Sequence, residues 1–557
     1  MINFGKTSSM NNQSFLFKGK VMIAIALALA PVVKAASQDA VTLPHPDDQQ
    51  LYIGDTIAIA RTEYGKVQGF KIKNIYTFCG IPYGAPTSGS NRFMPPQPPK
   101  PWRGIRQAVF WGDSAPQDGP HYTNNFHAWQ DRWNFFGISE DCLNLNVWTP
   151  GFDDGKKRPV LVWLHGGSWV TGNSIEEDSY KGENISRYGD IVYVSINHRV
   201  GPFGLINFAD VDPAFKESGN ISVLDMVFAL QWVHRNIANF GGNPDNVTIM
   251  GQSGGGSKVC TLIAMPEIKG LVHKGVALSG SANSAGNPEI AAGFGSYIAK
   301  KTGKTMKELQ EMPWRDFNTL AYKLTDEYNA EQQKLGRQRV GYHPEADGTH
   351  IPGGTFYQDK SLAGNNIPMI FCSTTSETSP AKSNAALENI DLDGAVKLVA
   401  NRYGSRAQAL VDGYHKAFPD RKPIELVGMI GWNTRGNTIA AANAKTRQDA
   451  PVWLAWFDWH PPLFDGRARS FHTSDICFWL RNTDYMLTHT GGGKRPRELS
   501  RKMADALLSF MRTGNPNCPS IPYWHAYNQK DGWTMWLNDT CHVTKDLDKE
   551  ARKAFTK

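Results

Sequence analysis

A single serine, Ser253, stands between Gly251 and Gly255 in the stretch VTIMGQSGGGSKVC, Val247 to Cys260. Residues suited to a strand lead into it; three glycines and a plausible helix lead out. A serine hydroxyl attacks an acyl carbon only when a base takes its proton and oriented dipoles meet the charge that develops. A sharp strand-to-helix bend supplies part of that. Glycines remove the side chains that would collide where strand and helix approach. The hydroxyl is then raised at the strand's end, over a helix N-terminus with free N–H groups and the positive end of a dipole. The competing reading is a glycine-rich turn that merely exposes a serine, and the rest of the chain has to discriminate between the two.

The pattern G-x-S-x-G is the nucleophile elbow of α/β-hydrolase chemistry, and that template asks for further parts in a set order. The N–H after the serine, here that of Gly254, is one oxyanion donor. Others come from a loop after an earlier strand, and HGGSW (His165 to Trp169) follows the apolar run VLVWL, which makes Gly166 and Gly167 candidates. An acid and then a histidine must follow Ser253. Glu377 lies a few polar residues past the apolar IPMIFCS, with Glu388 and Asp391 as rivals farther from the strand end. His472, in SFHTSD after PVWLAWFDW, sits where a base belongs. His460 precedes two prolines and suits a turn, and Asp475 is too near His472 in sequence to reach it comfortably from behind.

These pieces need a scaffold that brings strand ends together. VLVWLHGG, DIVYVSINHR, NVTIM, IPMIFCS and PVWLAWFDW are near-continuous apolar runs, the signature of strands buried on both faces. Helical spacing separates them: in Ser222 to Gly242, Leu224, Val227, Phe228, Leu230, Trp232 and Val233 crowd one side. Arg497 to Gly514 reads as a last helix closed by glycine. Alternating β and α segments predict a mainly parallel central sheet with helices on both faces, an α/β class.

Bulk properties agree with a globular enzyme. The 557 residues are 41% hydrophobic and 20% charged, with a net charge of +7. Basic residues are scattered rather than blocked, so no nucleic-acid partner is indicated. Lys18 and Lys20 precede an apolar run from Val21 to Val33, followed by Ala35, Ala36 and Ser37, the order of a secretory signal peptide. The run is shorter than the roughly 20 residues a spanning helix needs and contains Pro31, so export is preferred to a stable membrane anchor. The expected division is a signal peptide at 1–35 and one large domain at 36–557, secreted or periplasmic. Seven cysteines stand at 79, 142, 260, 372, 477, 518 and 541, none in a CxxC, so no metal site is expected. Cys518 and Cys541 flank a short loop and can pair in an oxidising compartment, whereas Cys260 and Cys372 read as buried free thiols.

Taken in order, several stretches resemble the type-B carboxylesterases, the group of para-nitrobenzyl esterases and cholinesterases. TEYGKVQG, FCGIPYGAPTSGSNRFMPPQPPKPW, SEDCLNLNVWTP, NHRVGPFG, the run into GQSGG, IPMIFCSTTSE and FHTSDICFW cover about residue 57 to near 540. The resemblance implies an α/β-hydrolase fold, a Ser253–Glu377–His472 triad, an oxyanion hole from Gly166, Gly167 and Gly254, a small-molecule ester substrate, no cofactor, and a structural ion pair between Arg92 and Glu140. Lipases and polyester hydrolases use the same triad, and non-catalytic relatives lack one of its members. Two departures stand out. Gln252 replaces the glutamate usual before the nucleophile, which disfavours choline esters. Cys142 matches a half-cystine whose usual partner position, near Ala115, is not cysteine, leaving Cys79 as a substitute partner. The aromatic loop from His121 to Gly137 reads equally as gorge lining or packed flap.

Overall fold

The computed structural model describes residues 50–119, 134 and 136–556; the expected export segment and most of the His121–Gly137 loop lie outside these. Fourteen strands run in chain order among the described residues: β1 (Ile59–Thr62), β2 (Gly65–Gln68), β3 (Phe70–Ile72), β4 (Ile75–Pro82), β5 (Ile105–Gln107), β6 (Asn144–Thr149), β7 (Arg158–Leu164), β8 (Val192–Ile196), β9 (Gly242–Gln252), β10 (Lys274–Leu278), β11 (Met369–Thr374), β12 (Val452–Phe457), β13 (Thr534–Leu537) and β14 (His542–Thr544). β1, β2 and β5 form a small sheet, and the other eleven form the central one, in the order β14-β13-β12-β11-β10-β9-β7-β8-β6-β4-β3.

The sheet is mixed. From β8 to β13 every neighbouring pair is parallel. Antiparallel strands extend it on both sides, β6, β4 and β3 at one edge and β14 at the other. The parallel core is what the apolar runs predicted, and every residue of β8, β10, β11 and β12 is buried. The antiparallel margin carried no comparable sequence signal. β6 (NLNVWT), for example, mixes Asn and Thr into a buried strand, where Asn146 donates to Ser174 and Ser195.

Helices cover both faces. The helix Ile221–Asn236 is buried nearly all round, Asp225 and Ser222 included, rather than along the one side its spacing suggested; Leu224, Phe228 and Gln231 are half-buried, and His234 and Arg235 at its end are exposed. Asp225 can be buried because Arg199 grips it with two hydrogen bonds of 2.8 and 2.6 Å. The helix Lys494–Thr513 buries Leu499, Met503, Leu507 and Phe510 on one stripe and ends at Gly514, whose φ of 76° lets its N–H reach the Phe510 carbonyl. All seven cysteines are unpaired. Neither Cys79 with Cys142 nor Cys518 with Cys541 forms the disulfide the sequence allowed. Cys79 and Cys142 are buried, and burial pushes both thiols far up. No helix among the described residues is long and apolar enough to cross a membrane.

Candidate active site

Five neighbouring parallel strands each end in one piece of a single site. β7 runs into the His165–Trp169 loop, β9 into Ser253, β10 into Ser279, β11 into Glu377 and β12 into the His472 loop. Parallel pairing points all five C-terminal ends the same way, so the loops that follow them gather at one edge of the sheet.

Ser253 takes φ 58° and ψ −124°, outside the regions open to most residues, and caps the helix Gly254–Ile263. Its N–H donates to the Leu278 carbonyl at 2.8 Å and its carbonyl accepts from Ser257, which fastens the strained turn from both sides. The flanking glycines are required by space. A Cβ on Gly251 would lie 2.5 Å from the Gly255 backbone, and one on Gly255 would run into the Leu164 carbonyl. The His165–Trp169 loop packs directly on this turn. Gly166 lies against Ser253 and Gln252, and Ser168 presses its backbone on Gly254.

Glu377 is buried. Its Oε1 accepts from the Ser279 hydroxyl at 2.7 Å and from the Thr374 N–H at 2.9 Å, and its Oε2 meets His472 Nδ1 at 2.5 Å. The His472 N–H donates to the Glu377 carbonyl at 3.2 Å, so backbone and side chain hold the two loops together. With Nδ1–H given to the carboxylate, Nε2 carries the imidazole's free lone pair. The ring is further placed by Gln252, whose amide nitrogen is 3.4 Å from both ring nitrogens, and by the edge of Trp432, centroids 5.8 Å apart. Gln252 immediately precedes Ser253, so this contact brings the imidazole to the elbow.

The rival acids are occupied elsewhere. Glu388 pairs with Arg469 and Lys422. Asp391 caps the helix Leu392–Tyr403 by accepting from the Gly394 N–H. His460 is bonded to Asp458 and near Arg421. Asp475 makes no hydrogen bond to His472; it is fully buried, accepts from Trp479 Nε1 at 3.3 Å, and its carboxyl is pushed up to about 7, by burial first and by the Glu377 charge second.

Three participants carried no sequence signal. Ser279 sits in an ordinary SGS turn, yet it takes φ 45° and secures Glu377. Ser168, next to the two candidate glycines, takes φ 56° with its backbone on Gly254. The hydroxyl of buried Tyr180, under the same loop, donates to Glu176 at 3.4 Å. Beneath the loop, His165 and His198 stack at 4.6 Å, both held well below the usual histidine range by burial and by Lys258. Lys258 itself is fully buried and lowered to about 7 by that burial. Trp169 borders a cavity of about 260 Å³ shared with Ala282, Gly286 and His343.

The sequence profile of the carboxylesterase family matches residues 57–555. The chain belongs to the carboxylesterase family. As a carboxylesterase it is a carboxylic-ester hydrolase, and its Arg92–Glu140 pair, expected from the resemblance, is present with two bonds of 2.6 Å. The esterase is 29% identical over 507 residues to the para-nitrobenzyl esterase of Bacillus subtilis, covering 89% of this chain and 98% of that one. It is 39% identical over 508 residues to mouse (Mus musculus) carboxylesterase 3B, covering 84% of each. Among solved structures it resembles an esterase of Clostridium hathewayi that hydrolyses aliphatic aromatic polyesters, with a TM-score of 0.78 at 28% identity over 91% of this chain and 99% of that one.

Proposed function

We propose that this carboxylesterase hydrolyses neutral esters through an acyl-enzyme on Ser253, with His472 as base and Glu377 as the acid that orients it. The observation that carries the reading is the position of the His472 ring. Its Nδ1 is held on the Glu377 carboxylate, and both its nitrogens lie 3.4 Å from the amide nitrogen of Gln252, the residue beside Ser253. In the proposed sequence Ser253 Oγ bonds to the ester carbon as its proton passes to His472 Nε2. The carbonyl oxygen becomes the oxyanion, the alcohol leaves with that proton, and water repeats the steps in reverse to free the acid. Gly166, Gly167 and Gly254 supply the oxyanion donors in this reading. Gly166 lies against Gln252 and Ser253, and the Ser168 backbone lies on Gly254.

A fluorophosphonate probe labels Ser253, and Ser253→Ala loses both the label and ester hydrolysis while keeping the unfolding curve of the parent. Labelling at another serine refutes the assignment. Hydrolysis of polyester ester bonds is a second reading, favoured by the likeness to the Clostridium hathewayi esterase, and an oligoester belongs in the same substrate panel. The N-terminal pattern further supports export. A mature N-terminus near Ala36 in protein from the native host is the expected result, and an intact Met1 or Met10 is the contrary one.

A further inference from the structure

Lys258 is a buried amine that the triad does not use. Lys258 lies one turn into the helix Gly254–Ile263, with no exposure. Its Nζ donates to the His165 carbonyl at 2.9 Å and approaches the Gly166 carbonyl at 3.4 Å, over the face of Trp169 at 5.6 Å. Among the described residues no carboxylate lies within ion-pair distance of Nζ. The facing titratable groups are His165 and His198, both held well below the usual histidine range, and the more distant Glu176. Burying an amine without a counter-ion is costly, so its partners matter, and these partners are the backbone of the loop that touches Ser253.

We propose that Lys258 is a positioning residue for the oxyanion loop, holding the carbonyls of His165 and Gly166 from behind so that the next N–H faces the ester oxygen. The inference rests on the reading of Ser253 as nucleophile. Its geometry follows from the planar trans peptide, in which C=O and N–H point in opposite directions. With the His165 carbonyl drawn to Lys258, the N–H of Gly166 must point away from it. With the Gly166 carbonyl held by Lys258 and by His165 Nδ1 at 3.0 Å, the N–H of Gly167 is turned away from Lys258 in the same manner. Gly167 has φ 77° and no side chain to limit its rotation; its own carbonyl accepts from Val170 and Thr171 on one side, and the carbonyl before it is the handle on the other. A donor aimed in advance stabilises the oxyanion without reorganising during the reaction.

Lys258→Met keeps the straight chain and removes every N–H. With para-nitrophenyl butyrate, kcat falls at least about tenfold while KM changes less than about twofold, since a misaimed donor costs the transition state and not the ground state. A trifluoromethyl ketone, whose adduct with the serine carries the oxyanion, loses affinity by the same factor. Lys258→Gln, one bond shorter but still a donor, falls between the two. Unchanged kcat and inhibitor affinity in folded Lys258→Met overturns the proposal. So does a loss confined to KM, or equal losses in both variants that track their unfolding midpoints. Should Lys258→Met fail to fold, Lys258→Gln carries the same comparison: lowered kcat with weakened inhibitor supports the proposal, and parental values overturn it. Ser253→Ala, run alongside, must abolish turnover and adduct. If it does not, the nucleophile assignment fails, independently of Lys258.

Discussion

Glu377 accepts three hydrogen bonds through two oxygens, from Ser279, Thr374 and His472. Donors on Oε1 fix the carboxylate, and Oε2 is then free to hold one tautomer of the ring. In the proposed roles, Glu377→Gln leaves KM near that of the parent and lowers kcat by about 10⁴, because an amide no longer selects that tautomer or stabilises the imidazolium. Near-normal turnover would discard Glu377 as the acid. Gln252 sets a second expectation. It is buried beside Ser253 and carries no charge. A carboxylate there would attract a bound cation by about 4 kcal/mol at 4 Å and an effective dielectric of 20, before solvation offsets most of it. Ethyl butyrate is therefore hydrolysed with a higher kcat/KM than butyrylcholine, two esters with unactivated alcohols and the same acyl group. The reverse preference would assign cation recognition to other side chains.

At the scale of elements, the elbow is a packing problem between β9, the helix after it and the end of β7. Gly255→Ala drives a methyl group into the Leu164 carbonyl, at a point where backbone meets backbone and neither has a rotamer to move. The expected result is loss of activity together with a lowered unfolding midpoint, seen by assay and by thermal melting; wild-type values in both would mean that the turn is looser than its geometry. The His472 loop contributes a pH effect. Asp475, ordinarily near 3.8, is pushed up to about 7, so folding takes up a proton between those values. Its contribution to stability is complete at low pH and is lost as pH rises toward about 7. Asp475→Asn flattens that part of the stability–pH curve in denaturant titrations, and an unaltered slope would assign the effect elsewhere. The strands carrying Ser253, Glu377 and His472 were legible because each is an apolar run ending in a polar loop. The elbow was legible because its glycines are packed too tightly to be anything else. Ser279, Ser168 and Lys258 were not, because what distinguishes each is a partner far along the chain: Lys258 lies 93 residues from the carbonyl it holds. The disulfide expectations failed for the same reason, since spacing along the chain says nothing of which cysteines meet in the core.

Across the whole molecule, Arg92 joins segments that the central sheet does not connect. It holds Glu140 with two hydrogen bonds and donates to the carbonyls of Leu309 and Met312, in and just after the helix Met306–Glu311. Arg92→Met strands the Glu140 carboxylate in a buried site and should cost about 3–5 kcal/mol of stability. Equilibrium unfolding measures this, and adding Glu140→Gln should restore part of the loss; a single variant as stable as the parent would reduce the pair to decoration. The row of strand ends described above has a different kind of consequence. Its members are adjacent in space but far apart in the chain: 98 residues separate Ser279 from Glu377, and 95 separate Glu377 from His472. Each excursion leaves one strand end and returns to that of a neighbouring strand. The protein is thus built as a fixed socket with interchangeable fittings: changes within those excursions are expected to alter which ester enters while leaving the socket in place.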